Sequence, residues 1–184
     1  DRRTLFNSLE VDYRPMRPTI TQLVTEPVYK KLKGVRMKGE FTLKGHKEKG
    51  ELLFTDYGIS GIAVMVLSRY ACPGDKIICD FYPEFTDQEL HSIIRTLKTM
   101  NGPYDGLVHP KLVPIVENQK NPVSFLKHLE FTVKALRGEE FAQADCGGLM
   151  ISNFNKSFEF INYPHLYATG EILDITGDCG GYNI

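Results

Sequence analysis

The run GEILDITGDCGGYNI at residues 170–184 places four glycines, two aspartates, a glutamate, a cysteine and an asparagine within fifteen positions. Glycines crowd where backbone must come close to another group, because a Cβ at such a position would collide with it. Two readings are open. In the first, Leu166-Tyr167-Ala168 forms a short buried strand that delivers Thr169-Gly170-Glu171 to a loop at its carboxyl end, where open α/β sheets bind ligands. Asp174 then accepts hydrogen bonds from polyol hydroxyls, while Gly180-Gly181 lets the main chain approach a flat or phosphorylated group. In the second, Thr176-Gly177-Asp178 is a glycine-rich turn between two strands and the acids are simply solvated.

Other chemically suggestive residues give weaker patterns. Gly58-Ile59-Ser60-Gly61 has the look of a nucleophile elbow, but G-x-S-x-G needs a spacer that is missing here. A helix start capped by the Ser60 hydroxyl is the better account. His46, His91, His109, His128 and His165 occur in unrelated contexts without H-x-x-x-H or H-E-x-x-H spacing, so no metal site is expected. His165 follows Pro164 just upstream of the glycine run and is read as a structural or surface histidine. Cys72, Cys79, Cys146 and Cys179 contain no C-x-x-C pair. Free thiols, as in a reducing compartment, are expected, and Cys146 and Cys179, which flank the two Gly-Gly pairs, are read as buried and inert.

These residues need elements to position them. From Thr19 to Phe54 the pattern is strand-like: TITQLV and GVRMKGEFTLKG alternate apolar with polar, and residues 45–50 read as a turn before ELLF. Residues 62–67 are apolar on nearly all sides, which fits either a buried helix from Ser60 or a buried strand. DKIICDFYP reads as a strand. Thr86-Asp87-Gln88-Glu89 is a capping box opening a helix with Leu90, Ile93, Ile94 and Leu97 at helical spacing, stopped by Asn101-Gly102-Pro103. A short helix near Pro110 and another capped by Asn121, with Pro122 in its first turn, complete a small helical lobe. FTVKALRG from Phe131, and FAQA before Gly147-Gly148, return to strand periodicity.

With 184 residues, 42% hydrophobic and 24% charged, the chain can bury a real core. A formal net charge of −1 argues against a phosphate backbone as main partner, so no nucleic-acid partner is expected. No apolar run approaches a membrane span, which predicts a soluble, cytoplasmic protein with no membrane partner. Charge is unevenly spread. Residues 30–49 carry eight Lys/Arg against Glu40 and Glu48, a net of +6, whereas residues 137–184 carry seven acids against Arg137 and Lys156, a net of −5. The basic stretch reads as solvated outer strand faces, or as the working face of a stand-alone, non-catalytic binding domain for an anionic partner.

Beyond these patterns, Ala168-Thr169-Gly170-Glu171-Ile172-Leu173-Asp174 followed by Gly177-Asp178-Cys179-Gly180-Gly181-Tyr182-Asn183 resembles the A-G-E-x-L-D-x-x-G-x-x-G-G-Y-N signature of the YhiN-like flavoproteins, the aminoacetone oxidase family of FAD-binding enzymes. GELLFTDYGISG at 50–61, Asp80-Phe81-Tyr82-Pro83, and Ala142-Gln143 with Gly147-Gly148 are similar to further blocks of that family. Thr169, Asp56 and Ile62 stand where the family usually has glycine, histidine and proline. The G-x-G-x-x-G loop that holds the ADP half of FAD is missing from the 184 residues.

The resemblance implies an α+β architecture: a β-rich, barrel-like domain with an inserted helical lobe, followed by a fragment of a Rossmann-like FAD domain. The expected divisions are 1–85 for the β-rich part, 86–130 for the helical lobe, 131–142 for a returning strand and 143–184 for the partial FAD-binding segment. Gly170, Glu171, Asp174, Gly180, Gly181, Tyr182 and Asn183 are the implied cofactor-side residues, and no catalytic residue stands out. The implied parent is an FAD-dependent oxidoreductase using NADH or NADPH, in which the insert covers the flavin and shapes access for a small-molecule substrate. The expected partner of this chain is the remainder of the FAD domain. Alone, the chain is expected to bind FAD weakly or not at all and to have no turnover.

Overall fold

The structure, a computed structural model, describes residues 2–100, 102, 104 and 106–177. In chain order the elements are α1 (Arg2–Ser8), β1 (Tyr13–Thr19), β2 (Leu23–Glu26), β3 (Arg36–Leu43), β4 (His46–Phe54), β5 (Gly58–Ser60), α2 (Ile62–Leu67), β6 (Lys76–Asp80), α3 (Asp87–Met100), α4 (Val113–Glu117), α5 (Pro122–Lys127), β7 (Leu129–Leu136) and β8 (Ala144–Leu149). They form two compact units, Asp1–Thr21 with Arg137–Ile184, and Gln22–Leu136.

The Gln22–Leu136 unit is a closed antiparallel barrel in the order β2-β5-β4-β3-β6-β7, with β7 returning to β2. Alternation makes the barrel. Met37, Phe41 and Leu43 of β3, Leu52 and Phe54 of β4, Ile77 and Cys79 of β6, and Leu129, Phe131 and Val133 of β7 are buried, while the residues between them face outward. Tyr29 meets Phe54 and Phe131 edge-on at 6.2 and 6.0 Å inside this core. The hairpin between β3 and β4 is tighter than the sequence pattern predicts: Leu43 pairs with His46, and Lys44 and Gly45 both take left-handed backbone, φ 50° and 84°. Such a two-residue turn matches strand twist and leaves residues 46–50 in the ladder.

The segment at 62–67 is helical. α2 packs against β4 with all its side chains buried except Ile62. Ser60 does not cap it. The N-cap is Gly61, at φ 105°, with no side-chain cap bond, because Ser60 is the last residue of β5 and points into the unit.

The helical lobe also follows the sequence signals. Thr86 N–H donates to Glu89 Oε2 at 2.7 Å and Glu89 N–H to Thr86 Oγ1 at 3.3 Å, a reciprocal capping box for α3. Asn121 Oδ1 accepts from Ser124 N–H at 3.0 Å and caps α5. Leu90, Val116, Val123, Phe125 and Leu126 join the barrel core, so lobe and barrel share one apolar cluster. A buried lysine secures the join: Lys127 Nζ lies 2.9 Å from Asp80 Oδ2 and donates to the Tyr82 carbonyl at 2.7 Å.

In the other unit β1 and β8 pair antiparallel, with a register shift between Arg14 and Arg17 where Pro15 interrupts the ladder. Phe6, Leu149, Phe154, Phe160 and Leu173 make its core.

Candidate functional site: a carboxylate loop held against a glycine strand

Glu171 and Asp174 sit on a loop that runs beside β8. Leu149 and Leu173 form a parallel bridge, and Asp174 N–H donates to the Leu149 carbonyl at 2.8 Å. The burial of Leu173 and Leu149 anchors this contact. Before it, Gly170 turns at φ 71° and residues 170–172 make one 3-10 turn. The loop lies this close because β8 has no side chain in the way. Gly148, at φ 119°, would carry a Cβ overlapping the Ile172 carbonyl, and Gly147, at φ 90°, one overlapping the Pro15 carbonyl. The glycine pair of β8 therefore serves close approach of the protein's own backbone.

The carboxylates are partly exposed. Asp174 Oδ2 lies 3.2 Å from Arg14 Nε, and the Arg14 side chain is 67% exposed. Among the described residues its Oδ1 has no hydrogen-bond partner. Two ionised acids three positions apart are acceptors only, which suits a ligand that donates from several hydroxyls. The donor chemistry of the ribityl and ribose groups of FAD fits this loop. Gly180, Gly181, Tyr182 and Asn183 lie outside the described residues.

Several expected features take a different form. Leu166-Tyr167-Ala168 is not a buried strand: Tyr167 makes a single antiparallel bridge to Glu159 and is 55% exposed. The excursion at 150–169 is instead tied by Glu159, which accepts from His165 N–H at 2.8 Å and Asn155 Nδ2 at 3.1 Å. These bonds hold its carboxyl below the usual range. His165 is exposed and turns the chain at φ 66°. Of the two cysteines expected to be buried, Cys146 is only partly so, while Cys79 is fully buried and burial pushes its thiol up. Cys72 is exposed, and Cys146 is half-buried with Sγ 3.6 Å from the Arg17 carbonyl; Cys179 lies outside the described residues. Among the described residues no group of three or more His, Cys, Asp or Glu is placed to hold a metal ion, and no helix is long and apolar enough to cross a membrane.

Five of the eight basic residues at 30–49 are ion-paired in space. Lys33 pairs with Asp56 at 2.6 Å, Arg36 with Glu51 at 3.4 Å, Lys44 with Asp75 at 2.7 Å, and Lys47 and Lys49 with Glu40 at 2.7 and 3.7 Å. Three of the acids, Glu51, Asp56 and Asp75, lie outside the 30–49 window, so the sequence count could not register them. Sequence reasoning also missed Arg14 and Lys127. The signal for Lys127 was a lysine directly after the apolar pair Phe125-Leu126 at the end of a short helix, where a buried charge must find a partner.

One unit is a closed barrel with a helical lobe that shares its core, and the other carries a carboxylate loop beside a glycine-bearing strand. Residues 17–105, just under half of the chain, match the HI0933-like protein barrel and H2TH domain. It is 31% identical over 163 residues to a ribosomal RNA dihydrouridine synthase of Haemophilus influenzae, covering 77% of this chain and 40% of that protein. It is 28% identical over 206 residues to a 3-dehydro-bile acid delta(4,6)-reductase of Clostridium scindens, covering 92% of this chain and 50% of that one. A ribosomal RNA dihydrouridine synthase of Escherichia coli is 26% identical over 156 residues, covering 72% and 38%. The chain thus spans half or less of the length of these curated relatives.

Proposed function

We propose that this chain is part of an FAD-dependent reductase that saturates a carbon–carbon double bond conjugated to a carbonyl. The observation that carries the reading is that relatives with unlike substrates bear names for one kind of reaction: dihydrouridine is uridine with its ring double bond saturated, and a delta(4,6)-reductase acts on double bonds of a 3-oxo ring system. FAD, when bound, would supply the hydride chemistry. Glu171 and Asp174 would accept hydrogen bonds from its hydroxyls, as Gly170, Gly180, Gly181, Tyr182 and Asn183 would allow or add to the approach.

In this reading the Asp1–Thr21 and Arg137–Ile184 unit contributes one part of a Rossmann-like FAD domain, and the rest of that domain is its partner. Exposed Ile151, Ile161, Leu166 and Tyr167 support a further covering surface there. The barrel and lobe would shape substrate access. Free Cys72, Cys79 and Cys146 agree with a cytoplasmic setting. The ion-paired strands favour this reading over a stand-alone domain that binds anions through residues 30–49. They also fit a small-molecule acceptor better than a polynucleotide.

The test is anaerobic reduction of the flavin in the intact parent protein by NADH or NADPH, followed by reoxidation with a cyclic enone in one arm and unmodified ribosomal RNA in the other. Reoxidation with formation of a saturated product in either arm supports the reductase reading, and the arm names the substrate. Reoxidation in the RNA arm alone would reverse the expectation of no nucleic-acid partner. A parent protein that carries no flavin, or whose reduced flavin is inert to both acceptors, would sink the proposal.

A further inference from the structure

We propose that Arg14 is a positioning residue for the cofactor loop, fixing the Asp174 carboxylate so that its second oxygen faces the ligand; this rests on the flavin reading above. Three backbone segments lie side by side, β1, β8 and the 170–174 loop, with β8 in the middle. Arg14 and Asp174 are on the two outer segments, about 10 Å apart at the usual strand spacing. A direct backbone link between them is therefore excluded, and only a long side chain spans the gap.

The register makes the span possible. Arg14 stands opposite Gly148, the position of β8 that carries no side chain and cannot carry one without overlapping the Ile172 carbonyl. From that position the arginine places Nε 3.2 Å from Asp174 Oδ2. Pro15 follows Arg14 at the interruption in the β1 ladder, where the register shifts, and its fixed φ limits how the strand enters that irregular stretch. Asp174 is held from the other side through its N–H bond to Leu149. One carboxylate oxygen is thus committed to a fixed cation, while Oδ1 has no hydrogen-bond partner among the described residues.

The arrangement is poorly suited to a purely structural role. Arg14 is 67% exposed, and an ion pair so open to water adds little to folding. Its value lies in orientation, since a carboxylate free to rotate on a loop must lose that freedom when it accepts bonds from a polyol. The guanidinium also offsets the adjacent negative charge of Glu171 and Asp174.

The experiment is a double-mutant cycle on FAD affinity in the intact parent protein, prepared as apoprotein and titrated with FAD by flavin fluorescence. Arg14→Ala should weaken FAD binding about tenfold, the scale of a lost hydrogen bond to a charged group. The thermal unfolding midpoint of the apoprotein should stay unchanged. Arg14→Lys should recover part of the affinity by restoring the charge. In an Asp174→Asn background, Arg14→Ala should have no further effect. Wild-type affinity in Arg14→Ala would overturn the assignment, as would an equal loss with and without the Asp174 carboxylate, because Arg14 would then act on something else. If Arg14→Ala lowers the melting point, Arg14→Met, which keeps the stem, serves in the cycle. A wild-type parent that binds no FAD would instead remove the flavin reading itself, and this assignment with it.

Discussion

Gly148→Ala tests the claim that the carboxylate loop is locked onto β8. The residue adopts φ 119°, and its added Cβ would overlap the Ile172 carbonyl. Backbone strain alone costs about 1–3 kcal/mol for a non-glycine in such a region. Relieving the overlap requires the 170–173 segment to move away. That breaks the 2.8 Å bond from Asp174 N–H to Leu149, which contributes about 1 kcal/mol. It also re-exposes part of Leu173, for which full burial stabilises by about 1.5–3 kcal/mol. The expected loss is about 3–5 kcal/mol, summed from strain, bond and burial.

Gly45→Ala is the control. Gly45 has a similar positive φ of 84°, but its added Cβ meets nothing within 4 Å, so only about 1–2 kcal/mol of strain is expected. Thermal unfolding ranks the two variants, and amide exchange at Asp174 reads the loop itself. Gly148→Ala should accelerate that exchange strongly, whereas Gly45→Ala should leave it alone. Equal losses of stability, with Asp174 exchange unchanged in both, would refute the locking of the loop by the glycine strand.

Removing the Lys127 ammonium strands Asp80, which among the described residues retains only the Tyr82 N–H at 2.8 Å. Lys127→Ala should cost about 2–4 kcal/mol in urea unfolding, at the low end for a broken buried pair because Asp80 is partly exposed. Lys127→Met with Asp80→Asn should regain most of it; a single variant within 0.5 kcal/mol of wild type, a difference of about twofold in the folding equilibrium, would show that the pair does not join lobe to barrel. Alkylation followed by mass spectrometry should label Cys72 rapidly and Cys79 only after unfolding, since Cys79 is fully buried with its thiol pushed up; early labelling of Cys79 would contradict the closed barrel.

Local signals were the readable ones. Thr86 with Glu89, and Asn121 with Pro122, announce α3 and α5 because a cap is chemistry within four residues. The barrel strands β3, β4, β6 and β7 show their inward faces through simple alternation. TITQLV did not survive as one strand: β1 ends at Thr19, β2 begins at Leu23, and Ile20 between them takes φ 47°.

Non-local pairing hid the rest. β1 and β8 meet across some 130 positions, and ADCGGL offers no alternation to reveal a strand. Arg14 could not be linked to Asp174 until that pairing was known. The partners of Lys33, Arg36 and Lys44 are likewise brought in by neighbouring strands and turns. The acidic loop was legible as chemistry, since Glu171 and Asp174 among glycines suit a hydroxyl-rich ligand. Its attachment to β8 was not, because the fit depends on the side chain that is missing at Gly148.

The most direct measurement is the structure of the intact parent protein with FAD bound. The account predicts an Asp174 carboxylate oxygen at hydrogen-bond distance, about 2.6–3.2 Å, from a ribityl or ribose hydroxyl, with Arg14 on the other oxygen. FAD bound elsewhere, with Asp174 facing only solvent and Arg14, would contradict it.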